Sequence, residues 1–202
     1  MHTLLNSIEQ TQAITDRLGA GDLTPTEPTL QYMWVQVWQF KPVEHEEWSI
    51  QVNPFHGLPV RILHKFDSPN MMSRRFIELY PSLIPKFLTN LLLASDHILP
   101  TVAWDPRYSE VDTTGDWRIL KTRMGKIEFI PIPGDPREVI EIYIRKRGSL
   151  LIARSAIPTL AFGLCCALRL LQRMHPAACQ LELIYGCMAD EPSSCLPVKE
   201  DW

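Results

Sequence analysis

"AIPTLAFGLCCALRLLQRMHPAACQLELIYGC", residues 156–187, is the most apolar stretch of the chain and holds four of its five cysteines. It reads as a membrane span, as a redox or metal centre, or as the wall of a core. Length favours the core. Residues 155–168 carry no charge, but Arg154 and Arg169 bracket them and Pro158 lies inside. A spanning helix needs about twenty apolar residues. Beyond Thr159, Leu164, Leu168 and Leu171 share one face, and Arg169, Gln172 and Arg173 share the other. The spacing predicts a helix over 159–174 ended by Pro176, with its leucine face buried and no transmembrane span.

The cysteines point the same way. Cys165 and Cys166 are adjacent, so they cannot make a CxxC couple, and apolar surroundings raise a thiol's pKa and quiet it. Cys179, Cys187 and Cys195 recur every eight residues, with His175 four before the first. Four such ligands suit a structural zinc, but the usual signature has tight cysteine pairs and none is present. The expectation is therefore no metal and no cofactor. An odd cysteine count late in the chain is not a disulfide framework. "MHTLLNSIEQTQ" lacks the basic and apolar regions of a signal peptide. Together these predict a reducing intracellular compartment.

Working outward, the 202 residues are 46% hydrophobic and 21% charged, the balance of a globular domain that can bury its own core. A net charge of −3 gives no global basis for nucleic-acid binding, and no sequence-specific binding is expected. Residues 3–18 suggest a helix stopped by Gly19. Residues 19–29, "GAGDLTPTEPT", read as a mobile linker. "QYMWVQVWQF" (31–40) reads as a central strand with Tyr32, Trp34, Trp38 and Phe40 on one face. It makes a hairpin with "WSIQV" (48–52). "VRILHKF" (60–66) fits a strand or a short helix.

Phe76, Leu79, Tyr80, Leu83, Phe87 and Leu91 keep a three-and-four spacing, which predicts helices over 69–80 and 83–95. Residues 96–116 read as a loop. Strands 117–121 and 126–132 form a second hairpin, and 138–147 and 149–154 a third, with Gly148 at its turn. The fold class is α+β: an antiparallel sheet of three hairpins with helices packed on one face. A helix and linker (1–30) precede a single domain (31–188) and a polar tail (189–202).

No nucleophile elbow, phosphate loop or dinucleotide fingerprint is present. His45, His56 and His64, with Glu44, Glu46 and Glu47 nearby, lack metal-site spacing. Asp96 and His97 at a helix end have the chemistry of a base and its orienter, but read better as a helix-terminal charge and a solvated imidazole. The hairpin tip Arg145, Lys146 and Arg147, backed by Arg154, is the clearest candidate for contacting anions, from lipid or ribonucleoprotein.

The order of these features resembles the matrix proteins of rhabdoviruses, which are of about this length. "PTEP" (Pro25, Thr26, Glu27, Pro28) comes first, then a hairpin, "VRILHKF", a helix ending "LTNLLLAS", "WRILK", and the basic hairpin "EVIEIYIRKRGSLLIA". "HPAACQL" also resembles lyssavirus-type matrix sequence. The resemblance implies a mobile proline motif that recruits budding machinery. It also implies a compact α+β domain that contacts membrane, nucleocapsid and itself, in the virion and at the inner face of the host membrane. "PTEP" is similar to PT/SxP motifs, with Glu27 where alanine is usual.

The leading expectation is a non-catalytic structural or interaction protein with protein partners, self-association and peripheral anionic contacts. One alternative is a small enzyme or ligand-binding domain with a site in loop 96–116, using Asp105, Arg107, Tyr108 and Asp112. Another is a host-factor inhibitor, because "IPKFLTNLLLASDHILP" (84–100) resembles the F-box-like motif of plant-virus silencing suppressors.

Overall fold

In the computed structural model, residues 4–31, 33–53, 59–68, 71–96, 110–114, 117–132, 135–145 and 148–174 are described. Helix α1 (Leu4–Arg17) leads into β1 (Thr29–Gln31), β2 (Trp34–Val43), β3 (Glu46–Val52), β4 (Val60–Ser68) and β5 (Met71–Leu79). Helix α2 (Ile84–Asp96) follows. Then come β6 (Glu110–Thr114), β7 (Trp117–Met124), β8 (Ile127–Pro131), β9 (Val139–Ile144), β10 (Gly148–Ala153) and helix α3 (Ile157–Met174). The chain is α+β. Its strands form two five-stranded antiparallel sheets, ordered β1-β2-β3-β4-β5 and β10-β9-β8-β7-β6.

The β2–β3, β7–β8 and β9–β10 hairpins lie where alternation predicts them. Residues 69–80 differ. The predicted helix is the strand β5, paired with β4 from Val60↔Leu79 to Ser68↔Met71. The three-and-four spacing borrowed Tyr80 and Leu83 from beyond the strand's end. Within it the operative period is two, with Ile77 and Leu79 buried on one face while Glu78 on the other pairs with Arg61. The predicted loop over 96–116 is also interrupted, since Glu110–Thr114 pairs with β7.

Strand β2 contains a second departure. The predicted face placed Trp34 with Trp38 and Phe40. A register shift between Gln36 and Trp38 inserts a bulge that turns Trp34 to the opposite face. Trp34 there lies under the Arg61 guanidinium, 3.6 Å from its ring centre. Trp38 faces inward and meets Phe162 of α3 edge-on at 5.0 Å.

Each sheet has its own helix. α3 covers the first sheet, and Leu164, Leu168 and Leu171 are fully buried, as their spacing implies. Pro158 sits in the first turn, where its missing N–H costs nothing, so the helix begins before it rather than after. α2 covers the second sheet, with Phe87 against Phe129 at 5.2 Å. α1 lies across both helices and buries the short side chains Ser7, Thr11 and Thr15, one turn apart. These layers share one hydrophobic cluster that includes Leu4 of α1, so the N-terminal helix is part of the core. By length and composition, Arg154–Met174 is apolar enough to cross a membrane; 56% of its most apolar window is buried inside the protein.

Gly163 sets the depth of α3. A Cβ there would stand 2.5 Å from Trp38 Cδ1 and 3.0 Å from Ile50 Cγ1. Gly163→Ala should therefore lower stability by about 1–3 kcal/mol through overpacking, although the same change in an open helix stabilises by about 0.5–1 kcal/mol. Leu168→Ala, with no clash to relieve, should cost about 2–5 kcal/mol. Denaturant melts of both variants check the pair; a Gly163→Ala protein as stable as the parent would disprove the tight approach.

Candidate functional site

The second sheet builds its site from alternation. Along β9, Ile140 and Ile142 point to the core while Glu141 and Tyr143 point away. The strands end together on one side, where Ile127 of β8 and Gly148 of β10 both pair with Ile144. The β7–β8 and β9–β10 turns therefore lie side by side, and Arg145 N–H donates to the Lys126 carbonyl at 3.1 Å. Gly148 closes the second turn at φ 94°, a conformation that glycine adopts without strain.

Arg75 of β5 reaches this end from the first sheet. Its guanidinium donates to the Ser149 carbonyl, and a Cβ on Gly148 would come within 3.1 Å of Arg75 Nη1. Arg123 joins from β7 and donates Nε–H to the Gly125 carbonyl at 2.7 Å. Arg75, Arg123, Lys126 and Arg145 are all exposed, and none forms an ion pair among the described residues. Neighbouring strands are roughly 5 Å apart, so cations on turns of adjacent hairpins can meet several anionic groups at once.

This end partly matches the predicted basic tip. Arg145 is there, while Lys146 and Arg147 lie outside the described residues. Arg154 does not back the tip. It sits at the far end of β10, 3.4 Å from Glu138. Lys126, Arg123 and Arg75 were not anticipated. Registering the "TRMG" turn against "RKRG" would have found the first two; Arg75 was hidden by the helical reading of 69–80.

The other candidates are dispersed. Pro25, Thr26, Glu27 and Pro28 are exposed, and the Thr26 hydroxyl donates to the Val37 carbonyl at 2.8 Å, which ties the motif to β2. His175, Cys179, Cys187 and Cys195 lie outside the described residues, as do His56, His97, Asp105, Arg107 and Tyr108. Asp112 is on β6, opposite Ile119. Cys165 Sγ donates to Gln12 Oε1 at 3.0 Å, and Arg169 donates to the same oxygen at 2.7 Å. Burial pushes both helix thiols up, Cys166 to about 11, so they are protonated and unreactive near neutral pH. Among the described residues no three His, Cys, Asp or Glu side chains are placed to share a metal ion.

One polar cluster was half seen in the sequence. Glu46 Oε1 accepts from Trp48 Nε1 at 2.6 Å. His64 Nε2 stands 3.2 Å from that oxygen, at ion-pair distance but off the line of a straight hydrogen bond. The His64 ring also stacks on Trp48 at 4.4 Å. A cavity of about 160 Å³ opens beside it, lined by Glu44, His45, Glu46, Glu47, Lys65 and their neighbours. Lys65 is already paired with Glu47, and the lining holds no hydroxyl or thiol nucleophile. The group pins the turn end of β3 to β4. In comparisons with known proteins, no family model, no curated protein and no solved structure matches the chain.

Burial pushes the Glu46 carboxyl up, but its contacts with His64 and Trp48 and the nearby charge of Arg137 outweigh that and hold it below its ordinary 4.5. A carboxyl depressed by folding adds stability that is complete above its ordinary value and is lost as pH falls through the lower folded one. The parent should therefore lose stability below pH 4.5. Glu46→Gln should be about 1–3 kcal/mol less stable at neutral pH and flatter in acid. Melting curves from pH 7 down to the acid limb measure this; equal acid slopes for the two proteins would refute the assignment.

Proposed function

We propose that this protein is a non-catalytic, matrix-like structural protein that engages an anionic surface, membrane or nucleoprotein, through the basic end of its second sheet. The observation that carries the reading is the meeting of Arg75, Arg123, Lys126 and Arg145 without a paired carboxylate among the described residues. Four other cations are already paired with carboxylates: Arg61 with Glu78, Lys65 with Glu47, Arg137 with Asp135 and Arg154 with Glu138. The ends of two adjacent hairpins suit broad electrostatic contact, which needs no enclosed pocket. The exposed Pro25–Pro28 segment, held along β2 by Thr26, supports a surface-presented recruitment motif in the same protein.

Each cation near an anionic surface contributes about 1 kcal/mol. Replacing Lys126, Arg145, Lys146 and Arg147 by Glu should weaken binding to anionic vesicles or to RNA at least about a hundredfold at low salt, and much less at high salt. Arg75 is left intact because it also ties the sheets together. Co-sedimentation with phosphatidylserine vesicles, phosphatidylcholine vesicles and RNA separates the two surfaces. A reversed variant that still folds and sediments like the parent would end the proposal.

A further inference from the structure

Among the described residues no strand pairs with the outer side of β1. At the opposite edge, β5 is covered where Arg75 crosses to β10. At β1, Thr29, Leu30 and Gln31 are all exposed, Leu30 at 69%, and Met33 in the following turn at 53%. Gln31 pairs with Trp34 across a two-residue turn, and Leu30 pairs with Val35. In such a hairpin the closing pair exchanges hydrogen bonds and the next pair does not. The N–H and C=O of Leu30 therefore point out from the open edge. Its side chain shares the face of Val35, Val52, Val60 and Leu79, the face that packs on the core. Apolar face and hydrogen-bonding edge thus both run out at one exposed residue.

We propose that β1 pairs with β1 of a second copy of this chain, antiparallel, about a twofold axis through Leu30. The occupant follows from charge and symmetry. No residue from Pro28 to Phe40 is charged, so the edge has nothing to recruit an acidic or basic strand and nothing that repels itself. A twofold sets Leu30 against Leu30, where each donates an N–H to the other's carbonyl, and the two leucines extend the apolar face. Pro28, the next residue facing that edge, has no N–H, so the shared ladder is short. Such a dimer buries little surface and is weak, micromolar or above. This inference goes beyond the proposed function and does not depend on the basic end.

Sedimentation equilibrium of the full chain up to about 1 mM should show a reversible monomer–dimer step. Leu30→Lys, which sets like charges directly opposite, should raise its dissociation constant at least about tenfold without altering the far-ultraviolet spectrum or melting temperature. A hydrogen-bonded antiparallel pair places its Cα atoms about 5.5 Å apart, within disulfide reach. Leu30→Cys should therefore cross-link to a dimer under mild oxidation where the parent does not. A chain that stays monomeric, a dimer unaffected by Leu30→Lys, or a Leu30→Cys chain that fails to cross-link would each overturn the proposal. Binding to vesicles or RNA is read separately, so failure here leaves the test of the basic end untouched.

Discussion

The depth to which α3 sinks into the first sheet governs the rest of the molecule. Gly163 removes one side chain where Trp38 and Ile50 press upward, and the indole fills that place. A helix held this close buries its leucines completely, and dispersion and desolvation both scale with that closeness. The short face of α1 follows from the same constraint, since Ser7, Thr11 and Thr15 let a third helix lie near α3. The bulge at Val37 serves it too. It places Trp38 and Phe40 on the helix side and sends Trp34 outward to Arg61.

With the helices seated, the sheets meet at their edges. Arg75 of β5 spans the seam and satisfies a carbonyl at the start of β10, while Gly148 leaves room for the guanidinium. One contact therefore joins the sheets and adds a cation to the end where two hairpin turns present their own. The charge pattern is a consequence of how the sheets meet. On the outer face, Arg61 lies over Trp34 and Phe76 and pairs with Glu78, so a cation there is spent on holding three strands together. The Glu46, Trp48 and His64 group acts similarly at the turn end of β3 and β4.

The α+β class, the buried leucine face of α3, the quiet thiols and three hairpins were legible in the sequence. Each rests on a local period, 3.6 for α3 and 2 for strands such as Val139–Ile144, and the burial of each segment agrees with its period. Residues 69–80 misled because two helix-like coincidences, Tyr80 and Leu83, lie past the strand's end. Only the ladder with β4 supplies the partners that make period two prevail. The bulge in β2 was equally invisible, since its alternation is broken by one residue whose placement is decided across the strands.

Of the candidate site, the sequence could name Arg145, because a basic hairpin turn is a local feature. It could not bring Arg75 beside Gly148, separated by more than seventy residues, nor draw Arg154 away to Glu138. Likewise the uncharged run from Pro28 to Phe40 can be read from composition, but which of its residues is left on an open edge depends on pairing. Local periodicity chose the elements of this protein. The register between strands, the joining of two sheets and the depth of one helix were set by long-range packing, in which each residue's place depends on a partner far along the chain.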